Sequence, residues 1–160
     1  MAENSILDPP RLTQLPTSPG IPVEYQGMWR RLLCLKIDQP DKPLSFCKKL
    51  AKEQNWSEHF AHRALTEYKR FLFLCRAVDD CTPSQIVDKA WHLHLQYSRQ
   101  YWDVLCDEIL GIKLHHDPGT GDIGEDTLYE GVYQRTLDAY AAIFGEPPQD
   151  IWGVRNNRPR

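Results

Sequence analysis

The sequence has no apolar run near the roughly 20 residues of a membrane-spanning helix, so no membrane partner is expected. Nor does it open on a charged stretch followed by an apolar one, so a signal peptide is not expected either. Basic residues are not in excess: 19 Lys and Arg stand against 22 Asp and Glu, for a net charge of −3 and a pI near 6.1. Without a positive footprint for phosphates, nucleic acid is not expected as a partner. There is no Cys-x-x-Cys pair, and the five cysteines (Cys34, Cys47, Cys75, Cys81, Cys106) are odd in number. They sit mostly within helical patterns, which points to reduced thiols in a cytoplasmic protein rather than disulfides or a cysteine zinc site. The spacings HxxxH and HExxH are missing, and with them the helix-borne zinc motif. No segment alternates with the period of a strand, and no internal repeat occurs.

What is present is helical pattern. The 41% hydrophobic and 26% charged residues are ordinary for a globular protein, and 160 residues allow one domain with a tail. Residues 1–22 carry five prolines and read as an extended or disordered leader. Residues 23–152 read as a single helical domain, and 153–160 as a frayed tail. A first helix is expected over residues 23–37, bearing Met28, Trp29, Leu32, Leu33 and Leu35. A proline breaker at 39–43 precedes a short helix over 44–54 that buries Phe46, Cys47 and Leu50. Ser57 suits the N-cap of a long helix to about residue 78, with Phe60, Ala64, Tyr68, Phe71, Leu72 and Cys75 on one face. The pair Glu67 and Arg70 is expected at its surface or between helices.

The central stretch, TPSQIVDKAWHLHLQYSRQYWDVLCDEILGIKLHHDP, spans residues 82–118. Thr82 as N-cap, Pro83 in the first turn and Gln85 reaching back predict one long helix. Val87, Trp91, Leu95, Tyr101, Trp102, Leu105 and Ile109 keep its period, and Gly111 ends it. After a turn containing Gly119, Gly121 and Gly124, a last helix is expected over 125–144 with Leu128, Val132, Leu137, Tyr140 and Phe144 inward. Gly145 stops it, and Ile151 and Trp152 dock back. Trp29, Trp91, Trp102 and Trp152 belong to the core. The fold class is all-α, a helical bundle of three long and one or two short helices.

The chemistry gathers in the central stretch, which holds four of the six histidines. Asp88 and His92 are four residues apart and share a helix face. His92 and His94 stand about 200° apart on an ideal helix, so both cannot enter one small site. His115 and His116 follow the helix. An unbroken helix to Leu110 puts His92 about 27 Å from its end, and six extended residues reach only about 20 Å. A shared site therefore requires a break or bend near Ser98. Asp88 would be a ligand or the carboxylate that orients an imidazole; Glu125 and Asp126 are further oxygen donors. The candidate metal set is Asp88, His92, His94, His115 and His116, suited to zinc or another divalent ion. Against it stands a structural reading, in which the imidazoles bond to Asp88, tyrosines or backbone in an aromatic core. A third reading makes them part of a groove for a peptide or protein. His59 and His62, beside Glu58 and Arg63, read as a solvated face.

The same stretch resembles uncharacterised proteins related to the plant glycine-rich domain-containing proteins. Their pattern is similar to V-D-x-x-W-H-x-H, then a tyrosine, then a glycine followed by a histidine pair. It maps onto Val87, Asp88, Trp91, His92, His94, Tyr101, Gly111, His115 and His116. The flanks EYKRFLFL (residues 67–74) and YQRTLDAYAAIFGEPPQDIW (residues 133–152) are similar too, so the likeness covers about residues 56–152. It implies a helical domain and no particular activity. The membrane segments of some bacterial relatives and the glycine-rich stretch of the plant proteins are not in this sequence. The function expected is a small cytoplasmic binding or accessory module with a histidine-centred polar site, acting on another protein or peptide. A metal-dependent hydrolase is the alternative; no catalytic residue is assigned, and a non-enzymatic role is favoured.

Overall fold

A computed structural model describes residues 20–153; the remainder of the proline-rich leader (1–19) and of the tail (154–160) lies outside the described residues. The architecture is an all-α bundle, with no strand among the described residues. A single 3-10 turn, Val23–Tyr25, leads into α1, Gln26–Cys34. Then come α2, Phe46–Gln54, and α3, Glu58–Ala77, each started by a serine whose side chain accepts a backbone N–H: Ser45 from Lys48 and Ser57 from Phe60. α4 runs Gln85–Gln96, a π-helix runs Gln100–Leu110, α5 runs Glu125–Phe144, and α6 is the short Gln149–Trp152. None of these helices is long and apolar enough to cross a membrane.

α3 is the hub, packing on α1, α2, α4 and α5. Ala61, Ala64, Tyr68, Phe71, Leu72, Phe73 and Leu74 are all fully buried along it. An apolar surface this wide explains why the helix is stable at the centre of the bundle: most helical stability comes from the packed face. Trp29, Phe73 and Phe144 form an edge-on aromatic group between α1, α3 and α5. Gly20 lies so close to α5 that an added Cβ would come within 2.4 Å of the Ile143 carbonyl oxygen, and Ile21 beside it is buried.

Three local expectations change and a fourth is narrowed. Ser84 caps α4, accepting from Val87 N at 3.2 Å, rather than Thr82, whose backbone N–H is taken by Thr136 Oγ1 at 3.1 Å. α1 ends at Cys34, because Leu35 is extended. Leu128 is 67% exposed: the inward face of α5 is Tyr133, Thr136 and Tyr140, and its first turns project past the core. Of the two places expected for Glu67, the surface is excluded and the position between helices holds. Glu67 is 4% exposed, and its carboxylate accepts from Arg70 Nη1 (2.9 Å), Tyr140 Oη (2.7 Å) and Trp152 Nε1 (2.8 Å). Burying a carboxylate is costly unless it is paired and hydrogen-bonded, and three donors from α3, α5 and α6 meet that condition. They also explain why Ile151 and Trp152 dock: the indole N–H needs an acceptor, and the short α6 delivers it.

Removing the acceptor leaves the Tyr140 hydroxyl and the Trp152 indole N–H without this partner, while Arg70 Nη1 keeps Tyr140 Oη at 2.6 Å. Glu67→Ala should lower unfolding free energy by about 3 kcal/mol or more, read by chemical denaturation. Arg63→Ala, which breaks the exposed pair with Asp150 at 2.5 Å, should change it little. Equal losses in the two variants would contradict the central role of Glu67.

Candidate functional site

The long helix expected over the central stretch is broken, and the break builds the site. Tyr97 leaves the helical region (φ −87°, ψ 59°) at the end of α4. Its ring packs against Phe46 at 5.6 Å, so the side chain is drawn towards α2 while the backbone turns. Helix resumes at Ser98 and widens into the π-helix. A wider helix has more residues per turn and advances less along its axis, so the stretch is shorter than an α-helix of equal length. Arg31 Nη2 and Arg76 Nε donate to the carbonyls of Ile109 and Leu110 (both 3.1 Å), satisfying acceptors its last turn leaves open. Gly111, at φ 67°, then reverses the chain with the left-handed backbone that favours glycine.

The returning segment is tied down by one phenol. Tyr101 Oη donates to the Leu114 carbonyl at 2.6 Å and accepts from Trp91 Nε1 at 2.9 Å. Burial pushes the Tyr101 phenol up from its ordinary value, so it stays a neutral donor. With Leu114 held, His116 falls beside α4. Its Nε2 lies 2.6 Å from Asp88 Oδ1, and its ring centroid lies 4.3 Å from those of both Trp91, which is tilted against it, and His92, which meets it edge-on. His92 Nε2 lies 3.4 Å from the other oxygen of Asp88. One ligand-type atom from each of Asp88, His92 and His116 can be chosen so that all lie within 4.8 Å of one another. The hydrogen bond to Asp88 holds the His116 imidazole above its ordinary value. The group is graded in exposure: the Asp88 and His116 side chains are each 17% exposed and that of His92 is 59%.

The other expected site residues lie elsewhere. His94 is fully buried on the opposite side of α4, as the 200° separation from His92 requires. Gln100 donates its amide N–H to the Lys36 carbonyl (3.1 Å) and so presents its oxygen to His94 Nε2 at 3.0 Å. That makes Nε2 the protonated nitrogen and leaves Nδ1 to accept from Tyr68 Oη at 2.9 Å. Burial pushes His94 down to about 4, so the ring is neutral. His115 is exposed and packs on Trp102 at 5.3 Å, away from His116, because successive side chains of a non-helical, extended segment point to opposite sides. Glu125 accepts from the backbone N–H groups of Thr120 (3.1 Å) and Gly121 (2.7 Å), closing the glycine turn.

A second group was not anticipated from sequence. Asp38, Cys47 and His62 also offer ligand-type atoms within 4.8 Å of one another. Burial first, and the Asp38 carboxylate next, push the Cys47 thiol up to about 12. The three residues lie far apart in sequence, with no motif spacing to connect them; only the Asp-x-x-x-x-x-x-x-x-Cys loop before α2 hinted at two of them.

Residues 36–127 match the model of the UCP032817-like family, more than half of the chain, and the chain belongs to that uncharacterised family. The matched segment contains both groups. No curated protein and no solved structure matches the chain.

Two outcomes follow from this geometry. Tyr101→Phe removes the donor to Leu114 and the acceptor of Trp91 together; it should cost about 1–3 kcal/mol and release the returning segment, read as faster amide exchange at residues 112–116. Unchanged exchange there would show that something else holds the loop. His94 gives a pH signature. Its folded value is depressed from 6.5 to about 4, so its contribution is complete above 6.5 and is lost as pH falls towards 4, at up to about 1.4 kcal/mol per pH unit. His116, raised in the fold, acts oppositely, stabilising below its unfolded value and losing that as pH rises. Comparison with His94→Asn isolates the first effect: denaturation curves of that variant should lack the acid slope.

Proposed function

We propose that Asp88, His92 and His116 hold a divalent metal ion, zinc foremost, and that the protein works as a cytoplasmic binding or accessory module organised around that centre. The observation that carries this is the convergence of one carboxylate and two imidazoles from α4 and the returning loop, within 4.8 Å. Two histidines and a carboxylate suit zinc, which takes nitrogen and oxygen at about 2.0–2.2 Å. Binding would open the 2.6 Å contact between His116 and Asp88 and draw His92 inward. His92 is the most exposed member, Asp88 is carried by α4, and Tyr101 through Leu114 and the Trp91 ring hold His116 in place. His94 and His115 belong to the proposal as neighbours rather than ligands: one is committed to Tyr68 and Gln100, the other to Trp102.

Support for a protein or peptide partner comes from the surface after the histidine loop, where Ile123 and Leu128 are exposed at 107% and 67%. Five cysteines outside any disulfide fit a reducing compartment. The pattern on which the resemblance to plant glycine-rich domain-containing proteins rests includes Asp88, His92 and His116, and that wider kinship is part of the proposal. The hydrolase alternative rests on one feature: three protein ligands leave a coordination position open to water.

Elemental analysis and zinc titration of the purified chain test the proposal. Near-stoichiometric metal is expected, with affinity falling at least about tenfold in Asp88→Ala and in His116→Ala and holding in His115→Ala. Protein that takes up no zinc, or takes it up equally well in the Asp88 and His116 variants, refutes it. Metal-dependent ester hydrolysis lost in the same variants would favour the enzyme instead.

A further inference from the structure

Beyond that centre, we propose that Asp38, Cys47 and His62 form a second, sulfur-containing site for a soft divalent cation. The three donors come from three successive elements. Asp38 lies in the loop after α1, Cys47 in the first turn of α2, and His62 on α3. Their ligand-type atoms lie within 4.8 Å of one another. A thiolate, an imidazole and a carboxylate make a donor set that zinc accepts readily and that magnesium or calcium, which prefer oxygen, do not.

The site is built rather than incidental in two respects. First, the Asp38 carboxylate is anchored: Oδ1 accepts the Cys47 backbone N–H at 2.7 Å. The bond fixes the loop against the N-terminus of α2, where a negative group is favoured. One oxygen thereby orients the carboxylate and leaves the other for a cation. Second, the donors are graded from inside to outside. Cys47 is fully buried and unpaired in any disulfide, Asp38 is half-buried, and His62 is exposed. His62 also lines a cleft of about 250 Å³ with Trp29, Leu33, Leu65 and Lys69. The imidazole is therefore the member of the group that a cation in the cleft meets first. Lys69 is the opposing charge. Its ammonium is held by the carbonyls of Leu33 (3.2 Å) and Leu35 (2.8 Å). Those bonds direct it to α1.

Binding exchanges one proton for the metal. The Cys47 S–H bond breaks, its electron pair forms the metal–sulfur bond, and the proton leaves to solvent. No oxidant or reductant takes part. The donors contract from their present spacing, with the exposed His62 side chain making the largest move and a water filling the fourth position.

Sulfur makes this site separable from the Asp88 centre, which has none. The full chain, reduced and stripped of metal, is titrated with cadmium while the ultraviolet cadmium–thiolate charge-transfer absorption is followed. One equivalent of that absorption is expected. It should vanish in Cys47→Ser, shift at least tenfold to higher cadmium in His62→Ala and in Asp38→Asn, and persist in His116→Ala. Asp38→Asn keeps the acceptor for the Cys47 N–H, and His62 is exposed, so these two variants decide the matter even if Cys47→Ser fails to fold. Absence of the band, or a band indifferent to His62 and Asp38, overturns the proposal and leaves the reading of the Asp88 centre untouched.

Discussion

The hydroxyl of Tyr101 joins three pieces of chain. It takes the indole N–H of α4, gives its own proton to the Leu114 carbonyl, and sits itself on the π-helix. Each group is buried or nearly so, and a buried donor or acceptor left unpaired costs more than the bond itself contributes. The arrangement is therefore close to all-or-none: the loop lies against α4 with every group paired, or it leaves with two unpaired. His116 inherits its position from that choice, two residues beyond Leu114. The meeting of His116, Asp88 and His92 is thus a consequence of a hydrogen bond in which none of them takes part.

Helix α3 supplies the frame. Its consecutive residues Glu67 and Tyr68 face different ways, about 100° apart on the helix. Glu67 gathers Arg70, Tyr140 and Trp152, and so fastens α5 and α6. Tyr68 bonds His94 and so fastens α4. One turn of one helix holds both the far end of the bundle and the helix that carries the site. The polar core here does two jobs by geometry alone: it satisfies buried charge on one side and gives a buried histidine a partner on the other.

Several features were legible from residue pattern. Ser57, as cap, and Gly145, as stop, mark ends that the structure keeps, because both depend on chemistry within a few residues of the chain. The angular separation of His92 and His94 follows from helix geometry, and one is exposed while the other is buried. The requirement for a break near Ser98 came from a length argument, and the break is at Tyr97. Other features were not legible. The inward face of α5 was misplaced by the apolar look of Leu128, since hydrophobicity does not tell whether a helix turn overlaps the core or overhangs it. The pattern leaves Glu67 and Arg70 as a surface or interhelical pair, and which of the two it is depends on Tyr140 and Trp152, more than seventy residues away.

What the amino-acid order determined alone acts within about one turn or one loop: the cap at Ser57, the stop at Gly145, the all-α pattern, and the opposed faces of His92 and His94. What only the folded molecule decided was partnership across the chain. His116 rather than His115 joins Asp88 because the returning segment is extended and tied at Leu114. Cys47 meets His62 because α2 and α3 pack together. Local signals fade within a few residues, whereas hydrogen bonds and packing between distant residues exist only once the backbone has brought them together.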